Sequence, residues 1–426
     1  MIKTSEVKDN LLFYFLCFLT FSIALTSGRS SFNNATIVAM HELLFILAYF
    51  LFSKSPVNPD WILKTHQKVF LLFLLWLVSI TTSLLFSPYE LMKEGLAIRR
   101  YYQTIIHILF FSVVFRFLLN QEREKNSELL LLMIPSSCVV LAFLFFLLWL
   151  TADNSSELNW FQYPPFGAHI RHIGYIATAA ACTAFAFLLH PAKSFGHKFS
   201  YLFLTVASLT FLFWTGGRSA AISFFSVFTL LVGYLIYVRS LRAGDLFVFC
   251  TTVLIAVFLS KHFDIFDWNG FSGQISRTID SENVNGLLTG RLSYWESVVD
   301  SLEGHWILGL GPQGYYFMPN RIFGVQPHNM FIQFIVEWGL VGASVFLVLL
   351  TSAGINIMKF IANRHRKVSI SILSSLAILV SLTIHGFVDG TYFHGQPSYY
   401  LALAFAICLS SISRDNMERS GLDESS

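Results

Sequence analysis

Apolar runs of 14 to 22 residues recur from one end of this chain to the other, most of them close to the roughly 17–25 that an α-helix needs to cross a bilayer. They cover residues 11–27, 36–52, 69–87, 104–119, 129–150, 173–189, 199–214, 220–238, 246–260, 329–350, 368–384 and 398–411. Inside lipid a backbone must satisfy its own polar groups, which leaves the helix as the structure open to such runs. The composition agrees: 55% of residues are hydrophobic and only 12% charged, where soluble domains carry roughly 25% charged residues. The first run has the length of a signal peptide, but the many crossings after it favour a retained span. The expectation is an all-α membrane protein with about twelve transmembrane helices.

The net charge of +3 is spread thinly and leaves no footprint for nucleic acid. Cys17, Cys138, Cys182, Cys250 and Cys408 all lie within apolar runs. None pairs at a short metal-ligand spacing, so they read as small buried hydrophobes rather than a disulfide or zinc framework. With the N-terminus in the cytoplasm, roughly 18 of the 28 basic residues fall on cytoplasmic segments. The group Lys359, Arg364, Arg366 and Lys367 is the clearest marker. Both termini are then cytoplasmic. Residues 151–172, the turn holding Gly217 and Arg218, residues 261–327 and residues 387–397 face outward. Lys93, Arg99 and Arg100, in the connection before the fourth run, are left outside against this rule. The chain divides into a bundle of nine spans over 1–260, a polar loop with amphipathic helices over 261–327, and three further spans with a short tail over 328–426.

The outward side holds Arg171, Arg218, Arg277, Arg291 and Arg321, with His169, His172, His305, His328 and His394. Its carboxylates are Asp280, Glu282, Glu296, Asp300, Glu303 and Asp389. They are scattered, and no opposed pair stands out as a glycosidase would need. There is no HExxH, no clustered Cys and His, and no GxSxG elbow. Arginines from several spans suit a diphosphate, because a guanidinium forks onto phosphate oxygens and stays charged.

Arg218 lies in TGGRSA, a very tight turn between two runs. Two glycines let the backbone approach a ligand, and Ser219 can cap the next helix, whose first amides favour an anion. The plainer reading is a snorkelling residue at the interface. Arg291 follows Gly290 and a possible cap, Thr289, and opens a helix with Leu292, Trp295, Val299 and Leu302 on one face. The plainer reading there is the solvated side of an interfacial helix. His328 follows Pro327 at the start of a long apolar run. The partial positive charge of a helix N-terminus favours an uncharged ring, the form a general base needs; a capping or packing role is the alternative.

Gly309, Gly311 and Gly314 spell GxGxxG without a flanking βαβ unit and with Pro312 inside. They are not a dinucleotide fingerprint and instead permit a tight re-entry of the chain. Glu42 is an intramembrane charge beside His41 and a functional candidate on that ground. His107 and His385 read as polar-network residues.

These pieces fit one reaction. A sugar on a polyprenyl diphosphate has a good leaving group, which arginines would stabilise as it departs. A neutral His would take the proton of an attacking hydroxyl, and a single displacement would invert the anomeric centre. The arginines would do the electrostatic work of a metal, so neither metal nor cofactor is expected.

ILGLGPQGYY followed by PHNMFIQFIVEWGLVG resembles the O-antigen ligase and polymerase superfamily of bacterial inner membranes. His328 and Asn329, nine residues, Gly339, two residues and Gly342 match its His-Asn…Gly-x-x-Gly signature. TGGRSA and TGRLSYWESVV resemble its two arginine segments. The resemblance covers roughly Thr215 to Gly342, and the first half of the chain agrees in topology only. It implies a GT-C-like arrangement with a long periplasmic loop between spans nine and ten. It also implies transfer of a glycan from undecaprenyl diphosphate at the periplasmic face, with lipid A–core oligosaccharide as acceptor in the ligases. Carried over by position, Arg218 and Arg291 bind the diphosphate, Arg171 assists, and His328 is the base. The polymerases share these motifs and extend the glycan itself. A transporter of lipid-linked anions is the non-enzymatic rival, but neither repeated halves nor matched broken helices are evident.

Overall fold

In the computed structural model the described residues are 4–26, 30–53, 67–121, 124–152, 160, 164, 166–167, 169–190, 195–262, 270–281, 286, 288, 290–319, 326–363 and 368–420. Most of 151–168, the basic group at 364–367, and Glu282, Thr289 and Arg321 lie outside them.

Among the described residues twelve long helices carry the twelve apolar runs: α1 (Thr4–Ile23), α2 (Ser31–Phe52), α3 (Gln67–Leu85), α4 (Gly95–Leu119), α5 (Glu124–Thr151), α6 (Ile170–Leu189), α7 (Phe195–Trp214), α8 (Arg218–Tyr237), α9 (Ala243–His262), then, after short helices, α13 (Met330–Asn363), α14 (Ile370–Gly386) and α15 (Gly395–Ser420). The short ones are α10 (Gly270–Ile279), α11 (Arg291–Ser301) and α12 (Gly314–Phe317). Eight of the twelve, α2 to α6, α8, α9 and α13, are by themselves long and apolar enough to cross a membrane. There is no strand among the described residues.

α6 is the axis of the bundle. Its sequence, IRHIGYIATAAACTAFAFLL, is rich in Ala, Gly and Thr, and small residues let neighbouring helices approach closely where lipid offers no hydrophobic drive. From Ile170 to Phe187 every residue but Arg171 is buried, against α5, α7, α8 and α14. α15 packs between α2, α4 and α14. α3 stands to one side and holds α13, with Trp76 edge-on to Trp338 at 5.1 Å.

Two expectations change. Arg99 and Arg100 do not lie in a connection but in the first turns of α4, where Arg100 is buried. The tenth run is not one continuous span: α13 breaks at Gly339, whose φ of 64° and ψ of −176° are non-helical. A break inside an apolar helix frees backbone groups that must find partners. The glycine-rich stretch before it supplies them. Leu310 donates its N–H to the Val336 carbonyl at 2.6 Å, and the N–H groups of Leu340 and Val341 donate to the carbonyls of Trp306 and Ile307 at 2.8 and 3.3 Å. Ser83 of α3 donates to the Glu337 carbonyl at 2.6 Å. The two backbones touch, so both need glycine. A Cβ on Gly309 would lie 2.7 Å from the Val336 carbonyl oxygen, and one on Gly339 would collide with that of Ile307. Gly342 has the same reason to be small, because a Cβ there would sit 2.9 Å from Ser79 Oγ. The Gly-x-x-Gly spacing is the footprint of this crossing, and it leaves residues 330–338 as a half-helix with His328 just before its start.

Candidate functional site

The cluster is assembled from helix beginnings and one loop at a single end of the bundle. His169 caps α6: its Nδ1 accepts from the Arg171 N–H at 3.1 Å. Burial, then the charges of Arg171 and His172, lower His169 to about 3, so the ring is neutral and free to accept. Arg171 is thereby fixed in the first turn.

Gly216, at φ 66°, reverses the chain between α7 and α8 and makes Arg218 the first residue of α8. Ser219 does not cap this helix as expected. Gly217 occupies the cap position, and the Ser219 hydroxyl instead meets His385 Nε2 at 2.8 Å. Arg218 Nη1 is buried with no hydrogen-bond partner among the described residues.

α11 starts at Arg291 after Gly290, whose left-handed φ of 78° turns the chain into the helix without a side-chain cap. The face it buries is Val298 and Leu302, packed on Leu310 and Val336. Val299, expected on that face, is 52% exposed. Trp295 uses its ring instead as a donor, Nε1 to the Pro327 carbonyl at 2.9 Å, which ties α11 to the residue before His328.

The His-Asn pair divides the work at the start of α13. Asn329 caps the helix: Oδ1 accepts from the N–H groups of Phe331 and Ile332 at 2.9 and 3.1 Å, and Nδ2 donates to the Phe387 carbonyl at 2.8 Å. His328 is held at φ 53°, a left-handed conformation uncommon for a non-glycine residue, which turns its ring away from the helix. Its Nδ1 lies 3.0 Å from Asp389 Oδ1, and its Nε2 lies 3.5 Å from an Arg171 Nη1. The ring of Tyr294 is 6.4 Å away, centroid to centroid.

Asp389 follows α14 and is only 2% exposed. Its Oδ1 also accepts from the Gly390 N–H at 2.9 Å. Burial works to raise this carboxyl, but the hydrogen bond and charge of His328 and the charges of Arg171 and Arg291 outweigh it, and hold it well below the usual carboxylate range. Burial is also the first cause lowering Arg291; Asp389 opposes that, while the charges of Arg171 and Arg218 add to it. Arg171, Arg291 and Arg218 therefore share one electrostatic neighbourhood with the single carboxylate of Asp389. The surplus of positive charge suits an anion. Arg277 stands at the edge, donating to the Gly216 carbonyl at 3.3 Å and lowered first by burial, then by Arg218.

The acid partner was not singled out from the sequence. Asp389 is one of six outward carboxylates, and the described others, Asp280, Glu296, Asp300 and Glu303, are all exposed. What distinguishes it is its place in a short loop between two apolar runs rather than in the long polar region. His305 takes no part in the cluster: its N–H bonds the Leu302 carbonyl at 2.8 Å in the turn after α11.

Fold and cluster together define a polytopic helical membrane protein with a cationic, histidine-bearing site at one end of its bundle. Residues 203–347 match the model of the Wzy_C family, O-antigen ligase, and this match supports the O-antigen ligase and polymerase superfamily. The matched stretch runs from α7 into α13 and takes in Arg218, Arg291, His328, Gly339 and Gly342. Comparison with curated proteins returned no match.

Proposed function

We propose that the protein is an O-antigen ligase of the bacterial inner membrane. It would transfer a glycan from undecaprenyl diphosphate to lipid A–core oligosaccharide at the periplasmic face, with both termini cytoplasmic. The observation that carries the reading is the pairing of His328 with Asp389 on one side and Arg171 on the other, inside the neighbourhood of Arg218 and Arg291.

With the proton of His328 on Nδ1, directed at the ionised Asp389, the lone pair is on Nε2 and faces the arginines. A hydroxyl of the acceptor placed there gives its proton to Nε2 as its oxygen bonds the anomeric carbon. The bond from that carbon to the diphosphate oxygen breaks in the same step, with inversion. The departing charge falls on Arg171, Arg218 and Arg291, which stabilise it as donors already in place. His328 is the general base, and Asp389 orients the ring and favours the imidazolium that forms.

The test is the lipopolysaccharide of a deletion strain complemented with His328→Ala. A ligase leaves long glycan chains on the lipid carrier and bare lipid A–core. Lipid A–core bearing a single repeat unit would identify a repeat-unit polymerase instead. Unchanged lipopolysaccharide, in a strain with no duplicate gene, would reject both.

A further inference from the structure

Arg100 takes no part in the reaction above, yet it is buried and bound to two backbone carbonyls. Its guanidinium donates from Nη2 to the Tyr392 carbonyl at 3.0 Å and from Nη1 to the Phe393 carbonyl at 3.3 Å. Its Cζ lies 5.1 Å from the centroid of the Phe393 ring. Its Nε lies 3.6 Å from Glu337 Oε2, with side chains 4% and 1% exposed.

Those partners belong to two different pieces of the site. Tyr392 and Phe393 are in the loop that carries Asp389. Glu337 ends the half-helix that begins beside His328, and its Oε1 accepts from Gln333 Nε2 at 2.5 Å and from the Gln313 N–H at 3.3 Å. One guanidinium thus grips the Asp389 loop with two donors and the far end of the His328 half-helix with its charge.

We propose that Arg100 is a positioning residue that sets the distance between Asp389 and His328. This rests on the reading of that pair as the base and its orienting acid. The lever is long. Glu337 stands nine positions after His328, on the half-helix that starts at Met330, a lever of about 12–13 Å at roughly 1.5 Å per residue. A tilt of about 5° at the Glu337 end swings His328 by roughly 1 Å, a misplacement that can cost about 100-fold in rate. The assignment also gives Arg100 a reason to be on the outward side of the bundle, where the distribution of the other basic residues disfavours it.

The experiment uses the purified full-length protein in detergent, with undecaprenyl-diphosphate-linked glycan as donor and lipid A–core oligosaccharide as acceptor. Arg100→Met, Arg100→Lys and Glu337→Gln are each measured alone and combined with Asp389→Asn. Arg100→Met is expected to lower kcat by about 30- to 100-fold with little change in the KM for donor. Arg100→Lys, which keeps the charge but loses the fork, should fall between it and wild type. Once Asp389 is Asn there is little alignment left to lose, so Arg100→Met should then cost less than about threefold more. A loss that multiplies in full in that background, or one that falls on KM, overturns the proposal.

Hydrogen–deuterium exchange of the same variants separates positioning from general stability without needing turnover. Faster exchange is expected in peptides covering 387–394 and 326–338 and not in α6 or α7. Acceleration throughout the bundle, or none in those two peptides, overturns the proposal as well. If the wild-type protein transfers no glycan, the functional reading has failed, and the exchange pattern still decides whether Arg100 holds the two pieces together.

Discussion

Replacing Asp389 by Asn is the sharpest perturbation of the site because it changes charge and almost nothing else. The Gly390 N–H keeps an acceptor at 2.9 Å, and the side chain keeps its shape in a position only 2% exposed. What is lost is the anion 3.0 Å from His328 Nδ1. A hydrogen bond to a charged group contributes about 1.5–3 kcal/mol. At about 1.36 kcal/mol per tenfold, the expected fall in kcat is about 10- to 150-fold. The diphosphate arginines remain, so the donor KM should barely move. Initial rates of glycan transfer by the purified variant, over a range of donor concentrations, measure both quantities. The sign of the pH dependence follows from the same contacts. Because the folded carboxyl of Asp389 sits well below its ordinary value, its stabilising contribution is complete above the unfolded value of about 3.9 and is lost as pH falls through the lower, folded value. Asp389 is therefore ionised throughout the neutral range, and any acid limb of kcat near neutrality belongs to another group. A kcat for Asp389→Asn within about twofold of wild type, or a loss confined to KM, would refute the pairing as a functional one.

The other expectations concern single contacts. Arg218→Lys keeps the charge but cannot fork onto two phosphate oxygens, so kcat/KM should fall by about 10- to 100-fold; full activity would make Arg218 a simple interfacial residue. Gly339→Ala should lower stability by at least about 2 kcal/mol, because the new Cβ meets the Ile307 carbonyl at a left-handed φ of 64°. Gly233→Ala, with nothing within 4 Å, should be neutral or slightly stabilising; equal thermal unfolding shifts for the two would refute the backbone crossing. The buried Glu42 and the half-buried His107 pair at 2.6 Å near the middle of α2 and α4, remote in sequence from the site. Glu42→Ala should cost about 1–3 kcal/mol by leaving the His107 ring without its partner, and adding His107→Ala should cost less than the sum. Additive losses would show that the two groups do not hold each other.

The run lengths that mark the twelve long helices are a property of the chain read locally, and each run overlaps one helix, although α4 begins at Gly95 and α13 continues to Asn363, well outside their runs. The break in α13 is not local in that sense. GLVG looks like any small-residue step within an apolar run, and hydrophobic periodicity is unaffected by a kink at Gly339. What makes the break possible is the stretch at 306–310, about 30 residues earlier, whose carbonyls and N–H groups complete the interrupted helix. The glycines there were legible as a tight re-entry, but not the surface they had to fit. The same holds for α11, where helical spacing put Val299 on the buried face and the neighbouring helix selected Val298.

Charge was more informative than spacing where it broke a rule. Arg218 and Arg291 stood out because each follows glycine at a turn, and His328 because it precedes a long apolar run. Their common location depends on α6, α8, α11 and α13 all beginning at one end of the bundle, which alternation of spans supplies. Asp389 had no such local mark, since a lone carboxylate in a short loop is ordinary until an imidazole is placed 3.0 Å from it. Arg100 was marked, by its conflict with the expected orientation, and the conflict has a physical resolution. A buried guanidinium is tolerable only where its donors and charge are met. The carbonyls of Tyr392 and Phe393 take its two terminal donors and the carboxylate of Glu337 balances its charge at 3.6 Å, nearly 300 and 240 residues along the chain. A cation against the orientation rule thus pointed to long-range contacts that no local pattern could name.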